Sequence, residues 1–256
     1  MSRIDPGLCS VTRRAASIDE VARLASECGL RAIEWGADVH VPPGDAAAIA
    51  RARAASAAAG VRVASYGSYL FATEVPTEVE MLSVLDTAVG LGAPNVRVWA
   101  GFGVEPGSER YAAVVNGLRS CCVEAAVRDV SISLEFHGGT PTATVEGVLA
   151  VIDAVSSPNL FTYWQPPYWR APSTPESDAA EVGALDRVLS HLHVYEWANA
   201  EDRRPLAEGS DRWRAVLATA ARGRGDRVAF LEFVAGDDPE QLRRDVATLL
   251  GWLGDR

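Results

Sequence analysis

Cysteine is scarce in this chain. Cys9, Cys28, Cys121 and Cys122 are the four in 256 residues, and their spacing matches neither a zinc site nor a disulfide framework. A domain of this size buries enough surface to fold without staples, so a reducing compartment is expected. Cys121 and Cys122 fall at helical spacing with Val114, Leu118 and Ala125, where small apolar packing accounts for them. Histidine is equally sparse, with four residues. Positive charge is outweighed: a net charge of -10 and a pI near 4.9 argue against the basic face that phosphate-backbone binding needs. No run of about 18 uncharged apolar residues occurs, and the opening MSRIDPGLCS lacks the apolar stretch of a secretory leader. A soluble, cytoplasmic protein that engages neither nucleic acid nor membrane is expected.

What the chain does have is a hydrophobic content of 48%, ample for a core, and a regular alternation of strand and helix patterns. Strands are expected near 7–12, 31–35, 61–67, 95–101, 130–137, 160–165, 189–197 and 227–234, each followed by a helical pattern. No linker rich in proline, glycine or serine divides them. Eight such units predict a single-domain α/β fold, the (β/α)8 TIM barrel, over residues 1–256. Ser17 with Glu20 and Thr77 with Glu80 read as capping boxes at helix starts. Leu242, Val246, Leu249, Leu250 and Leu253 share one face of the last helix, as expected for packing on the outside of a barrel. Turns from helix to strand are tight, whereas 36–44, 166–173 and 198–210, which follow strands, are long. Long loops gather at the C-terminal face of such a barrel, where active sites form.

The polar residues fall at that face. All four histidines, His40, His137, His191 and His193, lie at or just beyond strand ends, together with Glu34, Glu135, Gln165, Glu196 and Glu232. Alternation puts Glu135 with His137, and His191 with His193 and Tyr195, on common faces. Buried carboxylates are costly unless paired, protonated or bound to a cation. Glu135, His193 and Glu232, with the amide oxygen of Gln165, offer ligands to one divalent ion. The alternative is a satisfied polar network that includes Arg97 of NVRVWAG.

The stretches AIEWGADVH (32–40), LEFHGG (134–139), HLHVYEW (191–197), RRPLAEGSDRW (203–213) and FLEF (230–233) make the chain resemble the xylose isomerase-like TIM-barrel family of sugar phosphate isomerases and epimerases, which share a fold with apurinic endonucleases. The resemblance covers nearly the whole chain. It implies one divalent metal, such as Mn, Mg, Co or Zn, held by Glu135, Gln165, His193 and Glu232. Gln165 stands where the family usually carries an Asp, which removes one negative ligand and weakens the expected hold on the ion. Tyr168 stands where a substrate-touching His is common, leaving Trp164, Tyr168 and Trp169 to stack on a sugar-like ring. Arg203 and Arg204 precede the proline of the substrate-side loop and are expected to meet substrate oxygens or phosphate. Glu34, His137 and Tyr195 are expected to orient hydroxyls. Outer helices of such barrels often form homodimers.

The implied activity is that of a sugar isomerase or epimerase working on a small ketose, aldose or polyol-like carbonyl compound through an enediolate, with Glu135 and Glu232 exchanging protons from opposite faces. The same proton abstraction would serve a dehydratase of the keto-inositol kind. A sugar-binding barrel without catalysis, its metal lost with the Asp, is the remaining alternative. The several-metal phosphodiester chemistry of the endonucleases is disfavoured by four histidines and acidic balance.

Overall fold

The structure is a computed structural model that describes residues 3–72 and 78–254. Eight parallel strands close a barrel in the order β1 (Ile4–Cys9), β10 (Arg227–Leu231), β7 (Leu189–Val194), β6 (Leu160–Trp164), β5 (Ser131–Leu134), β4 (Asn95–Trp99), β3 (Arg62–Phe71) and β2 (Ala32–Gly36). Closure is made by β1 against β10, in register from Ile4 opposite Arg227 to Leu8 opposite Leu231. Eight helices wrap it: α1 (Ile18–Glu27), α2 (Ala46–Ala59), α3 (Glu78–Leu91), α4 (Glu109–Ala126), α5 (Val145–Val155), α6 (Pro175–Ala184), α7 (Ser210–Arg222) and α8 (Pro239–Gly254). No described helix is long and apolar enough to cross a membrane.

The local reasons match the sequence. Ser17 and Glu20 form the expected capping box on α1, side chain and backbone satisfying each other at its first turn. The other expected box involves Thr77, which lies outside the described residues. On α8, Leu242, Val246 and Leu249 are buried against the barrel, while Leu250 and Leu253 pack at its margin. Cys121 and Cys122 sit buried on α4 as small apolar side chains.

Several strand boundaries differ from expectation: β3 runs on to Phe71, and β4 and β10 stop early at Trp99 and Leu231. The first strand runs over Ile4–Cys9, and Ser10–Arg13 forms a 3-10 turn in place of its predicted end. The fifth strand ends at Leu134, so Glu135 and His137 stand just beyond the ladder, which closes with the Glu135 N–H donating to the Val98 carbonyl at 3.0 Å. The seventh strand stops at Val194. Its predicted continuation turns away as β8 (Glu196–Asn199) to form an antiparallel hairpin with β9 (Asp202–Arg204) inside the long loop.

Candidate active site

Strand ends carry a cavity of about 150 Å³ at the C-terminal mouth, lined by Arg97, Glu135, Gln165, Glu232, His137 and an aromatic wall that includes Trp99, Tyr168, Tyr195, Trp197 and Phe233. Glu135 follows β5 and Glu232 follows β10, three strands apart round the eight-stranded barrel, so the two carboxylates approach the cavity from different sides. Their backbones are pinned. The Thr142 hydroxyl donates to the Glu135 carbonyl at 2.6 Å, and Thr12 Oγ1 accepts from the Phe233 N–H at 3.0 Å. Phe233 has a φ of 55°, a left-handed conformation uncommon for a bulky residue, directly after Glu232.

Beneath the floor lies a buried charge network. The Arg97 guanidinium donates to Glu34 Oε1 at 3.2 Å and pairs with Glu135 Oε2. Tyr163 Oη donates to the other oxygen of Glu34 at 2.7 Å, and the Cys9 thiol approaches Glu34 Oε1 at 3.6 Å. Glu34 is 2% exposed and does not line the cavity. Expected to orient a substrate hydroxyl, Glu34 instead stands apart from the cavity lining, with its oxygens engaged by Arg97 and Tyr163.

His193 sits on the other side of this network. Its Nδ1 lies 3.0 Å from Gln165 Oε1 and 3.1 Å from Glu232 Oε2, while Nε2 lies 3.5 Å from Glu34 Oε1 and has no hydrogen-bond partner among the described residues. Burial presses the imidazolium to lose its proton, but Glu232 and Cys9 together outweigh that and raise the ring well above its ordinary value. The three carboxylates respond differently. For Glu34, burial works upward, but Arg97 and His193 outweigh it and hold the group well below the usual carboxylate range. For Glu232, burial is likewise overcome, chiefly by His193 and then Arg97, leaving it lowered. For Glu135, burial prevails over Arg97, and the charge of Glu232 across the cavity adds to the rise.

Two donor sets around His193 could hold a cation. On the Nδ1 side, Gln165 and Glu232 converge on the ring at the separations shared by donors around one small ion, and Glu135 lines the same cavity. On the Nε2 side, donor atoms of Cys9, Glu34 and His193 lie within 4.8 Å of one another. The first set fits better, because it opens to the cavity, whereas the second is sealed and its Glu34 already serves Arg97. With the His193 proton displaced and Glu135 ionised, Glu34, Glu135 and Glu232 would face one permanent cation, Arg97, leaving negative charge for an ion to balance.

The remaining expected residues separate. Tyr168 and Tyr195 line the cavity; Tyr168 Oη lies 3.2 Å from His137 Nε2, and Tyr195 donates to the Pro166 carbonyl at 2.8 Å. Trp164 does not stack on a ligand: it is wholly buried against Trp213 in the helix layer, its Nε1 donating to Glu181 at 3.0 Å. Trp169 stacks on His137 behind the cavity, in a space that only Gly138 leaves open. Arg203 lies over the rings of Trp197 and Phe233, 5.0 and 4.5 Å from their centroids, and pairs with Asp237, so it backs the aromatic wall. Arg204 binds Asp202 and Glu208 away from the lining. His191 shares the inward direction of His193 but lies toward the opposite end, packed on Tyr163 and Phe230. His40 is buried against Trp35 and bonded to the Ala16 carbonyl. Sequence reasoning left out Cys9, Tyr163 and Trp99; only an aromatic or small residue at an inward strand position marked them.

A sequence profile of the xylose isomerase-like TIM barrel matches residues 22–253. Proteins of curated function yield no match in sequence. Among solved structures, the probable 3-DHS dehydratase AsbF of Bacillus anthracis, involved in petrobactin synthesis, is 18% identical, with a TM-score of 0.78 over 96% of this chain and 99% of that one. The D-allulose 3-epimerase of Methylomonas sp. is 17% identical, with a TM-score of 0.69 over 99% of each chain. A xylose isomerase-like TIM-barrel protein of Mycobacterium smegmatis in complex with magnesium is 14% identical, with a TM-score of 0.68 over 99% of this chain and 100% of the other.

Proposed function

The chain belongs to the xylose isomerase-like TIM-barrel family, and we propose that it is an isomerase or epimerase of a small keto-sugar or keto-polyol, working by proton transfer between Glu135 and Glu232. The observation that carries this reading is that two carboxylates from well-separated strands face one small cavity with opposite tendencies, Glu135 toward the acid and Glu232 toward the carboxylate. Paired groups pushed apart in this way suit one base and one acid. Glu232 takes the proton from the carbon next to the carbonyl, held ready by His193. Glu135 returns a proton from its own side of the substrate. Arg97, fixed between Glu34 and Glu135, places positive charge at the floor where oxyanion charge would develop. His137 and Tyr168, hydrogen-bonded to each other, present polar edges to substrate hydroxyls, and Trp99 and Trp197 offer faces to its carbon skeleton.

A divalent ion would be held by Gln165, His193 and Glu232 with Glu135, and would supply polarisation of the carbonyl and neighbouring hydroxyl oxygens. Because the His193 ring holds its proton firmly, loading such a site releases it, so affinity for Mn²⁺ should rise with pH. Calorimetry in buffers of different ionisation enthalpy checks this, and uptake without proton release would contradict it.

The activity test is solvent exchange. Incubated in D₂O with a panel of ketoses and cyclic keto-polyols, the protein should place deuterium on the carbon beside the carbonyl of its substrate. Glu232→Gln should lower that exchange by about 10²–10⁴-fold, with the unfolding midpoint nearly unchanged. Full exchange by the variant would remove Glu232 from the reaction. A second reading, loss of a β-hydroxyl, is favoured by the raised hold of Glu135 on its proton, which suits it to protonate a departing oxygen; product lighter by one water would select it.

A further inference from the structure

The opposite end of the barrel carries a second concavity, of about 640 Å³, framed by the starts of the strands and the turns before them. Four arginines line it, Arg3, Arg62, Arg187 and Arg224, against two aspartates, Asp186 and Asp226. In a chain with net charge -10 this is a local reversal, and every one of its 24 basic residues is arginine. The acids here are already engaged. Asp186 accepts from the Arg227 guanidinium at 2.7 Å and from the Arg224 backbone N–H at 2.8 Å, and Asp226 accepts from the Arg3 N–H at 2.9 Å. Buried Asp5, just inside, meets Arg3, Arg31 and Arg62 together. The guanidinium groups of Arg187 and Arg224 have no hydrogen bond or ion pair among the described residues, and both side chains border the concavity.

The floor is polar as well, although the Ser190 hydroxyl already donates to the Thr162 carbonyl at 2.9 Å. Ser190 and His191 line it at the start of β7. Since His191 Nδ1 accepts the Val228 N–H at 3.1 Å, the ring hydrogen sits on Nε2 and is a donor. Two guanidinium forks with no partner among the described residues, beside a ring N–H, form a donor-rich hollow in which arginines outnumber aspartates, the setting that a tetrahedral oxyanion satisfies by parallel hydrogen bonds.

We propose that this concavity binds a phosphate group, free or carried by a small phosphomonoester, with Arg187 and Arg224 as its principal contacts. The site stands apart from the catalytic mouth and does not depend on the reaction assigned there.

Calorimetric titration of the purified protein with inorganic phosphate and, separately, with glycerol 3-phosphate tests it. The wild type should bind at least one of them saturably, and Arg187→Ala/Arg224→Ala should weaken that binding tenfold or more. Arg203→Ala, at the far end of the barrel, should leave it intact. Tighter binding of the ester would identify an organic phosphate as the natural occupant. In parallel, phosphate should raise the thermal midpoint of the wild type and not of the double variant. Absence of binding by the folded wild type at millimolar ligand, or binding unchanged in the double variant, would overturn the proposal.

Discussion

A methyl group on Gly67 would stand 2.7 Å from Glu34 Oε1 and 2.8 Å from an Arg97 guanidinium nitrogen. No real side chain tolerates such approach, so the Glu34–Arg97 pair owes its position to the hydrogen at this point of β3. Gly67→Ala should displace the pair, cost about 1–3 kcal/mol of stability through overpacking, and lower turnover by moving the charge beside Glu135. Denaturant titration together with the deuterium-exchange assay checks both, and a variant equal to wild type in each would show that Arg97 has slack. At this scale, Glu135, His193 and Glu232 were legible in the sequence because carboxylates and imidazoles at strand ends need a reason to be there. Glu34 was also conspicuous, yet its duty to Arg97 was not, since both belong to strands separated by more than sixty residues.

Strands set the next scale. The interior of a (β/α)8 barrel is commonly filled by layers of branched apolar side chains, and here several strands contribute a polar column instead. Ser190 and Ser133 Oγ are 2.8 Å apart, Ser133 donates to Asn95 Oδ1 at 2.7 Å, and Asn95 Nδ2 donates to Ser65 at 3.0 Å and Tyr163 at 3.2 Å. Tyr163 then reaches Glu34. Tyr163→Phe strips a partner from buried Glu34 and from Asn95, which should cost about 1–3 kcal/mol. Chemical denaturation of the variant checks it; an unchanged stability would mean that the column rearranges around the missing hydroxyl. Strand existence was readable from alternation, whereas strand ends were not. Residues 189–197 keep an extended pattern throughout, but after Val194 the chain pairs with β9 in place of its barrel neighbours, and pairing partners leave no local mark.

For the whole molecule, burial of ionisable groups couples the fold to pH. Burial pushes the His191 ring down from 6.5 to about 3, with only partial relief from Glu34. Below pH 6.5 the unfolded chain takes up a proton that the folded one refuses until about pH 3, so stability falls as pH drops through that window. The loss attributable to this ring is about 2 kcal/mol between pH 6.5 and 5, at about 1.4 kcal/mol per pH unit. His191→Gln, which retains an acceptor for the Val228 N–H, should flatten this part of the stability profile. An identical slope in wild type and variant would assign the acid sensitivity to other groups.

By itself the sequence determined the barrel, the cap of its first helix, the end on which polar residues gather and the carboxylates proposed to act there. These follow from periodicity, capping and the cost of burying charge, which act over a few residues or on a residue type wherever it lies. Only the tertiary structure decided what each charged group is for. Closure of the barrel brought Arg97 between Glu34 and Glu135, set His193 between Gln165 and Glu232, sent Trp164 into the helix layer and left Arg187 and Arg224 without a partner among the described residues at the far end. The physical reason is range: electrostatic partnership depends on distances of about 3–4 Å between atoms, and residues far apart in sequence reach those distances only when the sheet has closed.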